Sequence, residues 1–451
     1  MAKMTDKQPR MQAAKILDRV LFDRAYSHLA LHEALREQPL EEVDARFVTE
    51  VVYGTIKRLN TIDDVLGRVM KQPLRKTDRR VKTILRMSVY QLLFMDRVPE
   101  RAAIHEGVEL AKAWGRGGLK GFVNGVLRNV ARQGLPDYRA LFDPVQRIAL
   151  STSHPEWLVR TWINTYGEAV TEAMCEANAE RAYTTLRVNR LQTDRLALQE
   201  KLEADGVKTT PGKLSPDSLI VMEGQALHSA LFERGAFSFQ DESSMRVTDA
   251  LDPQPGMRVL DACAAPGGKA AHIAERMNDD GEVLANDIHD HKRTLIAEQA
   301  ERLGLESINA QASDATELAG NIETKTYDRV LVDAPCSGLG VLRAKPDIKW
   351  HIDPKEIEQL AALQINILEA AAHALKPGGI LVYSTCTVMP AENEDVIAAF
   401  LKNNPSFELD DTLDARLGLE TENPGQRLIF PQQYDSDGFF IAAMKKRGDQ
   451  T

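Results

Sequence analysis

The chain has 451 residues, 43% of them hydrophobic and 27% charged, which are the proportions of an ordinary globular protein long enough for two or three domains. The opening Met1-Ala2-Lys3-Met4-Thr5-Asp6-Lys7-Gln8 has no apolar core, and no stretch approaches about 18 consecutive apolar residues, so neither a signal peptide nor a spanning helix is expected. The net charge of -10 divides unevenly: residues 1–134 hold 25 Lys/Arg against 16 Asp/Glu, whereas the remainder holds 31 against 50. A basic module fused to an acidic one points to a polyanion as partner of the first half. Four scattered cysteines, Cys175, Cys263, Cys336 and Cys386, exclude a disulfide framework and a zinc site, so a reducing, cytoplasmic setting with no metal and no membrane is expected, and the chain is expected to be a monomer.

Residues 11 to about 134 read as five to seven helices. Ala13, Ala14, Ile16, Leu17, Val20 and Leu21 recur at helical spacing, as do Phe47, Val48, Val51, Val52, Thr55 and Ile56, and then Val81, Ile84, Leu85, Met87 and Leu92. Pro73, Pro99 and Gly115-Arg116-Gly117-Gly118 punctuate them. The densest basic run holds Arg68, Lys71, Arg75, Lys76, Arg79, Arg80, Lys82 and Arg86 with Asp78 alone opposing, and is expected to face backbone phosphates. Phe47-Val48-Thr49-Glu50-Val51-Val52-Tyr53-Gly54-Thr55, with Gly121-Phe122-Val123-Asn124-Gly125-Val126-Leu127-Arg128, resembles the RNA-binding NusB type of antitermination factor.

From about 141 to 235 the pattern is mixed. A helix opens at His154-Pro155-Glu156-Trp157, and Thr184–Asn189 and Leu219–Met222 read as strands of a small α+β subdomain. Beyond 236, Arg258–Asp261, Glu282–Asp287, Tyr327–Asp333 and Ile380–Ser384 alternate with helical segments, which predicts a doubly wound, Rossmann-like α/β domain; Gly438–Met444 reads as a last, antiparallel strand. Residues 403–430 read as a long polar loop. The division expected is therefore 1–140, 141–235 and 236–451.

Val259-Leu260-Asp261-Ala262-Cys263-Ala264-Ala265-Pro266-Gly267-Gly268-Lys269 is a strand running into a glycine turn and a helix. A P-loop needs Gly at 263 and Ser or Thr at 270, where this chain has Cys263 and Ala270, and the G-x-G-x-x-G dinucleotide fingerprint is absent. Asp261 in that place suits a cationic or amino-bearing ligand and repels phosphate. Asp287 ends the second strand, where a carboxylate accepts hydrogen bonds from ribose hydroxyls. Asp314, at the end of a third strand, is expected to meet an adenine amino group. Methionine plus adenosine without phosphate is S-adenosyl-L-methionine, the expected cofactor.

Cys336, in Asp333-Ala334-Pro335-Cys336, and Cys386, in Ser384-Thr385-Cys386, each follow an apolar run that reads as a buried parallel strand, so both thiols arrive at the ligand-binding edge of the sheet. Cytosine C5 takes a methyl group only after a thiolate has added at C6, and a second thiol nearby can act in the later elimination. Asp333 is placed to contact the cytosine edge or the methionine part of the cofactor. Cys263 is expected to pack inside the cofactor loop and Cys175 within a helix. A target base held in a duplex must be flipped out, and RNA loops offer splayed bases, so RNA is the expected substrate. Arg343, Lys345, Lys349 and Trp350 are expected to hold its nucleotides by charge and stacking.

These motifs, with Ser337-Gly338-Leu339-Gly340, Arg343-Ala344-Lys345-Pro346-Asp347-Ile348-Lys349-Trp350 and Gln240-Asp241-Glu242-Ser243-Ser244, resemble the RNA cytosine-C5 methyltransferases, and among them the bacterial Sun/Fmu (RsmB) branch with its NusB-like front domain. The resemblance spans nearly the whole chain. It implies Cys386 as nucleophile, Cys336 as the group assisting product release, and Cys263, Ala264, Ala265, Pro266, Gly267, Gly268, Lys269, Asp287, Asp314 and Asp333 as cofactor-binding positions, with a cytosine of small-subunit ribosomal RNA as target. Two positions depart from the pattern: Asn286 and His289 stand where relatives often carry an apolar residue and an acid. A DNA-type Pro-Cys nucleophile would instead be Cys336, and spacing alone does not separate the two. A transfer-RNA methyltransferase and a non-catalytic RNA-binding assembly factor are the other readings.

Overall fold

The computed structural model describes residues 8–419 and 423–448. The chain folds into two compact units: residues 1–181 with 342–351, and residues 182–341 with 352–451.

The first unit is helical. Seven α-helices cover Pro9–Asp23, Ser27–Glu37, Glu42–Lys57, Leu59–Val69, Arg79–Phe94, Glu100–Ala111 and Lys120–Gln133 among its described residues up to 134. Their apolar stripes close on one core in which Ile16, Leu17, Val20, Val48, Val52, Ile84, Leu85 and Leu127 are all fully buried. Gly54 is a steric requirement, because a Cβ there would lie 1.9 Å from the Tyr90 ring. Three further helices, Pro144–Ser151, Glu156–Tyr166 and Glu168–Ala179, follow, and the short helix Ile348–His351 belongs to the same unit. Among the described residues no helix is long and apolar enough to cross a membrane.

Three of the eight basic residues of the run are neutralised by acids of the same unit. Arg68 pairs with Asp64 at 2.7 Å, Arg79 with Asp18 at 2.8 Å and Asp23 at 2.6 Å, and Arg86 with Asp63 at 2.7 Å. Asp78 is thus not the run's sole opponent. Lys71, Arg75 and Lys76 remain exposed. The segment Leu342–His351 corrects a second expectation. Arg343 and Lys349 are buried, and Trp350 packs against the helical core. Trp350 Nε1 donates to the Ile56 carbonyl at 2.9 Å, Lys349 Nζ to Lys57 O at 3.3 Å and Arg343 Nε to Ala177 O at 3.0 Å. These three side chains finish helix ends of this unit instead of presenting a surface for nucleotides; Lys345 alone of the four is exposed.

The second unit holds two sheets. The smaller is antiparallel, with strands β1 (Thr184–Val188), β2 (Lys208–Pro211), β3 (Ser218–Glu223) and β4 (Phe237–Phe239) in the order β2-β3-β1-β4. The larger contains β5 (Met257–Asp261), β6 (Gly281–Asp287), β7 (Ile308–Ala312), β8 (Tyr327–Asp333), β9 (Leu375–Thr385), β10 (Phe407–Leu409), β11 (Gln426–Ile429) and β12 (Phe439–Lys446). Its order is β10-β12-β9-β8-β5-β6-β7, with β11 on β12. Strands β5 to β9 are mutually parallel and β12 runs antiparallel to β9. Alternation decides the faces: Val259, Val283, Leu331 and Val382 feed one apolar cluster, and Leu260, Val330, Val332, Leu381 and Tyr383 the other. Residues 403–430 are not a plain loop, since β10, the helix Leu413–Leu417 and β11 lie within them, residues 420–422 falling outside the described part. Chain order reverses beside β5, so the β5/β8 edge is the switch point at which such sheets bind ligands.

Candidate active site

At that edge the carboxyl ends of β5, β8 and β9 bring together Asp261, Asp333 and the two cysteines. Cys386 is the first residue past β9 and Cys336 the third past β8, and their sulfurs lie 3.4 Å apart. Asp333 is in register with Ser384 across the β8/β9 pair. The Ser384 hydroxyl donates to Asp333 Oδ1 and the Lys269 ammonium to Asp333 Oδ2, both at 2.7 Å. Burial works against the Lys269 ammonium, yet the Asp333 charge and hydrogen bond, followed by Cys386 and Asp261, hold its pKa above the ordinary lysine value.

The glycine loop turns at Gly267, whose φ of +106° is left-handed and which caps the helix Gly268–Arg276; a Cβ there would also press within 3.2 Å of Ile296 Cα. Asp261 is fully buried at its foot. Neither Asp261 oxygen receives a hydrogen bond of normal geometry, although the Cys263 N–H favours the ionised form. Burial first, and then the Asp333 charge, push its pKa up to about 7. Asp287 closes the loop from β6, accepting from the Ala265 N–H at 3.3 Å and pairing with Lys292 at 3.2 Å. Asp314 lies two residues past β7 and caps the following turn, accepting from the Thr316 hydroxyl at 2.7 Å and N–H at 2.8 Å, which lowers its pKa. Cys263 packs against the sheet core, where burial raises its pKa well above that of a free thiol. Cys175 is buried in the helix Glu168–Ala179 and pushed up to about 12 by burial.

Asn286 is buried and laces three strand ends together, its Nδ2 donating to Ala262 O at 3.1 Å and Ser313 O at 3.0 Å while Oδ1 accepts from Ser313 Oγ at 2.7 Å. Its amide therefore has a structural use that an apolar residue would not serve. His289 stacks on His291, ring centroids 5.4 Å apart.

Supports absent from the sequence reading hold this edge. Arg187 on β1 is fully buried, forks onto Glu275 of the helix Gly268–Arg276 at 2.6 and 3.2 Å, and donates to Gly268 O at 2.7 Å. Glu392, also fully buried, accepts from the Ser337 N–H at 2.8 Å, from the Ser337 hydroxyl and from Gln364 Nε2 at 3.0 Å, and Gln364 also holds Pro335 O at 2.9 Å. Asn393 holds the other cysteine turn through the Thr385 hydroxyl and through Thr387 O at 3.0 Å. Gly340 lets the two turns touch: its N–H donates to Cys386 O at 2.9 Å, and a Cβ would fall 2.0 Å from Gly438 O. The one sequence signal for the Glu392 support is an acid directly after the apolar Val388-Met389-Pro390-Ala391.

A mixed seven-stranded path with this switch-point loop, joined to a NusB-like helical unit, defines a methyltransferase of the open α/β class. The comparisons agree along the chain: the NusB family matches residues 7–132, an RsmF/B-like ferredoxin-like domain 154–228, and the 16S rRNA methyltransferase RsmB/F family 248–445. A probable ribosomal RNA small subunit methyltransferase B of Bacillus subtilis is 43% identical over 94% of this chain and 96% of its own. The ribosomal RNA small subunit methyltransferase B of Vibrio vulnificus is 36% identical over 97% and 99%. The crystal structure of PH0851 superposes with a TM-score of 0.81 at 25% identity, covering 99% of this chain and 100% of that one. The chain belongs to the RsmB/F family of 16S rRNA methyltransferases.

Proposed function

We propose that the protein methylates C5 of a cytosine in 16S ribosomal RNA, using S-adenosyl-L-methionine, with Cys386 as nucleophile and Cys336 assisting release. The approach of the two sulfurs to 3.4 Å beside Asp333 carries this reading. The cofactor fits the residues present: buried Asp261 offers two unsatisfied oxygens toward positive charge, and Asp287 and Asp314 stand at or just past successive strand ends. When bound, it supplies an electrophilic methyl group. Cys263 to Lys269, Asp287, Asp314 and Asp333 are the residues that would hold it.

The Cys386 thiolate adds to C6 of a cytosine turned out of its helix, and the ring electrons move toward C5, which becomes nucleophilic. Asp333 orients the base edge, and its bonds to Ser384 and Lys269 fix its carboxylate. Once C5 carries the methyl group, its proton passes to solvent water, the C5–H electron pair re-forms the C5–C6 double bond, and the C6–S bond breaks to expel Cys386 as thiolate. A hydrogen bond from the Cys336 thiol stabilises that leaving sulfur. Residues 1–140 serve in this scheme as an RNA-binding module, 141–235 guide the strand, and 236–451 perform the transfer.

The test is methyl transfer to small-subunit RNA by purified variants, with bisulfite sequencing of RNA from a strain lacking the gene. Cys386→Ala is expected to abolish transfer and Cys336→Ala to accumulate a covalent protein–RNA adduct. Normal turnover by Cys386→Ala with no adduct from Cys336→Ala overturns the roles, and a signal lost from transfer RNA alone overturns the substrate.

A further inference from the structure

Of two thiols 3.4 Å apart, ionising one makes the other harder to ionise, so once one proton is lost the side that keeps the remaining proton decides which sulfur attacks. The charges around the pair are unequal. Lys269 brings its ammonium to the side of Cys386, with which it interacts electrostatically. Glu392 sits on the side of Cys336: it binds the N–H and hydroxyl of Ser337, the next residue, and through Gln364 it is tied to the carbonyl of Pro335, the residue before. Asp333 and Asp261 face Lys269, and Tyr383, from β9, is a neutral phenol whose hydroxyl donates to the Glu392 carbonyl at 2.6 Å. Cys263, from the glycine loop, is held as a thiol by burial.

We propose that Glu392 is the positioning residue that keeps the shared proton on Cys336 and so leaves Cys386 as the thiolate. The inference rests on the reading of the two cysteines given above and explains their division of labour by charge. A carboxylate that accepts hydrogen bonds from Ser337 N–H, Ser337 Oγ and Gln364 is bound as an anion. Burial raises the Glu392 pKa, and those same donors counter it. The Cys336 thiol is raised well above its ordinary value, first by its hydrogen bond with Cys386, then by burial, then by the charges of Cys386 and Glu392. A purely structural Glu392 would hold the Cys336 turn equally well as an uncharged amide, whereas an electrostatic one biases the proton only while it carries its charge and loses that bias as an amide.

Competitive labelling of the full-length protein with iodoacetamide near neutral pH separates these, because the reagent reports thiolate, and mass spectrometry reads Cys386 and Cys336 independently. The wild-type protein is expected to label preferentially at Cys386. Glu392→Gln, which keeps the shape and most of the hydrogen bonds, is expected to shrink that preference by about tenfold, the change expected for one pK unit. Its methyl-transfer kcat falls by a similar factor while KM for RNA stays within about twofold. Glu392→Asp restores part of the preference. Ser337→Ala withdraws one donor from the carboxylate and shifts the preference less, in the same sense, which keeps the test open should the Gln variant fail to fold. An unchanged preference in the folded Gln variant, or in Ser337→Ala if the Gln variant does not fold, overturns the role of Glu392. Preferential labelling of Cys336 in the wild type overturns the reading of the cysteines themselves.

Discussion

Asp333 ends β8 directly opposite Ser384 on β9, and the Ser384 hydroxyl donates to its Oδ1 at 2.7 Å. Lys269 takes the other oxygen, so one carboxylate is fixed from a neighbouring strand and from the glycine loop at once. Asp333→Asn keeps the partner on β9 but leaves the Lys269 ammonium, 13% exposed, without its counter-charge. The expected loss is up to about 3 kcal/mol of stability and about 10²- to 10⁴-fold in methyl transfer. Ser384→Ala is expected to cost about 1 kcal/mol and a smaller part of the rate. Calorimetry and single-turnover transfer by the two variants check both.

Gly340 has its own requirement, since an added Cβ would stand 2.0 Å from Gly438 O and 2.8 Å from Cys386 O. These are backbone atoms, which cannot swing aside as a side chain does. Gly340→Ala is expected to push the Cys336 turn away from Cys386, destabilise the unit by about 1–3 kcal/mol and slow adduct formation on RNA. Thermal unfolding and a denaturing-gel assay for the adduct read the two effects.

Arg187 and Glu275 form an ion pair with side chains 0% and 2% exposed, and Arg187 also holds Gly268 O. Removing one partner leaves a buried charge uncompensated. Arg187→Met is expected to cost about 3–5 kcal/mol, and to weaken cofactor binding because the first turn of the Gly268–Arg276 helix loses its anchor. Arg187→Met with Glu275→Leu is expected to regain much of the stability, since an apolar pair of similar volume needs no counter-charge. Calorimetric melting of the single and double variants, with cofactor titration, tests the coupling.

Much of this architecture is legible because burial writes itself into period: β8 matches to the residue, β5, β6 and β12 to within two residues at their ends, and β9 begins five residues before the stretch that reads as a strand. The cysteine pair was legible because each thiol follows its strand within three residues, a distance over which sequence order and space still agree. β2 and β4, of four and three residues, were too short to show alternation. Long-range pairing was the other loss. Arg343, Lys349 and Trp350 follow Cys336 closely in sequence and so read as strand-holding groups, yet their partners are carbonyls of Ala177, Lys57 and Ile56 in the helical unit. The acids that neutralise Arg79 and Arg86 likewise lie 23 or more residues away, beyond any local charge count. Glu392 was missed for a related reason: its importance lies in what it touches, and those donors come from residues 337 and 364.

Asp261 offers a test that reads protonation directly. In the unfolded chain an aspartate titrates near its ordinary value, whereas burial and Asp333 raise it to about 7 in the fold. Between these two values the folded state holds a proton that the unfolded state has released. Stability from this group is therefore complete below the unfolded pKa and is lost as pH rises toward 7, with a slope of at most about 1.4 kcal/mol per pH unit. Asp261→Asn has no such proton to lose, so its advantage in melting temperature over the wild type is expected to grow from pH 4 to pH 7 and then level off. All four tryptophans, Trp114, Trp157, Trp162 and Trp350, lie in the helical unit, so their fluorescence marks its transition and calorimetry isolates the other. The same variant is expected to bind a cationic cofactor more weakly above pH 7, because the wild-type carboxylate is ionised there and the amide carries no charge. A melting difference that stayed constant across this range would place the titration elsewhere in the site.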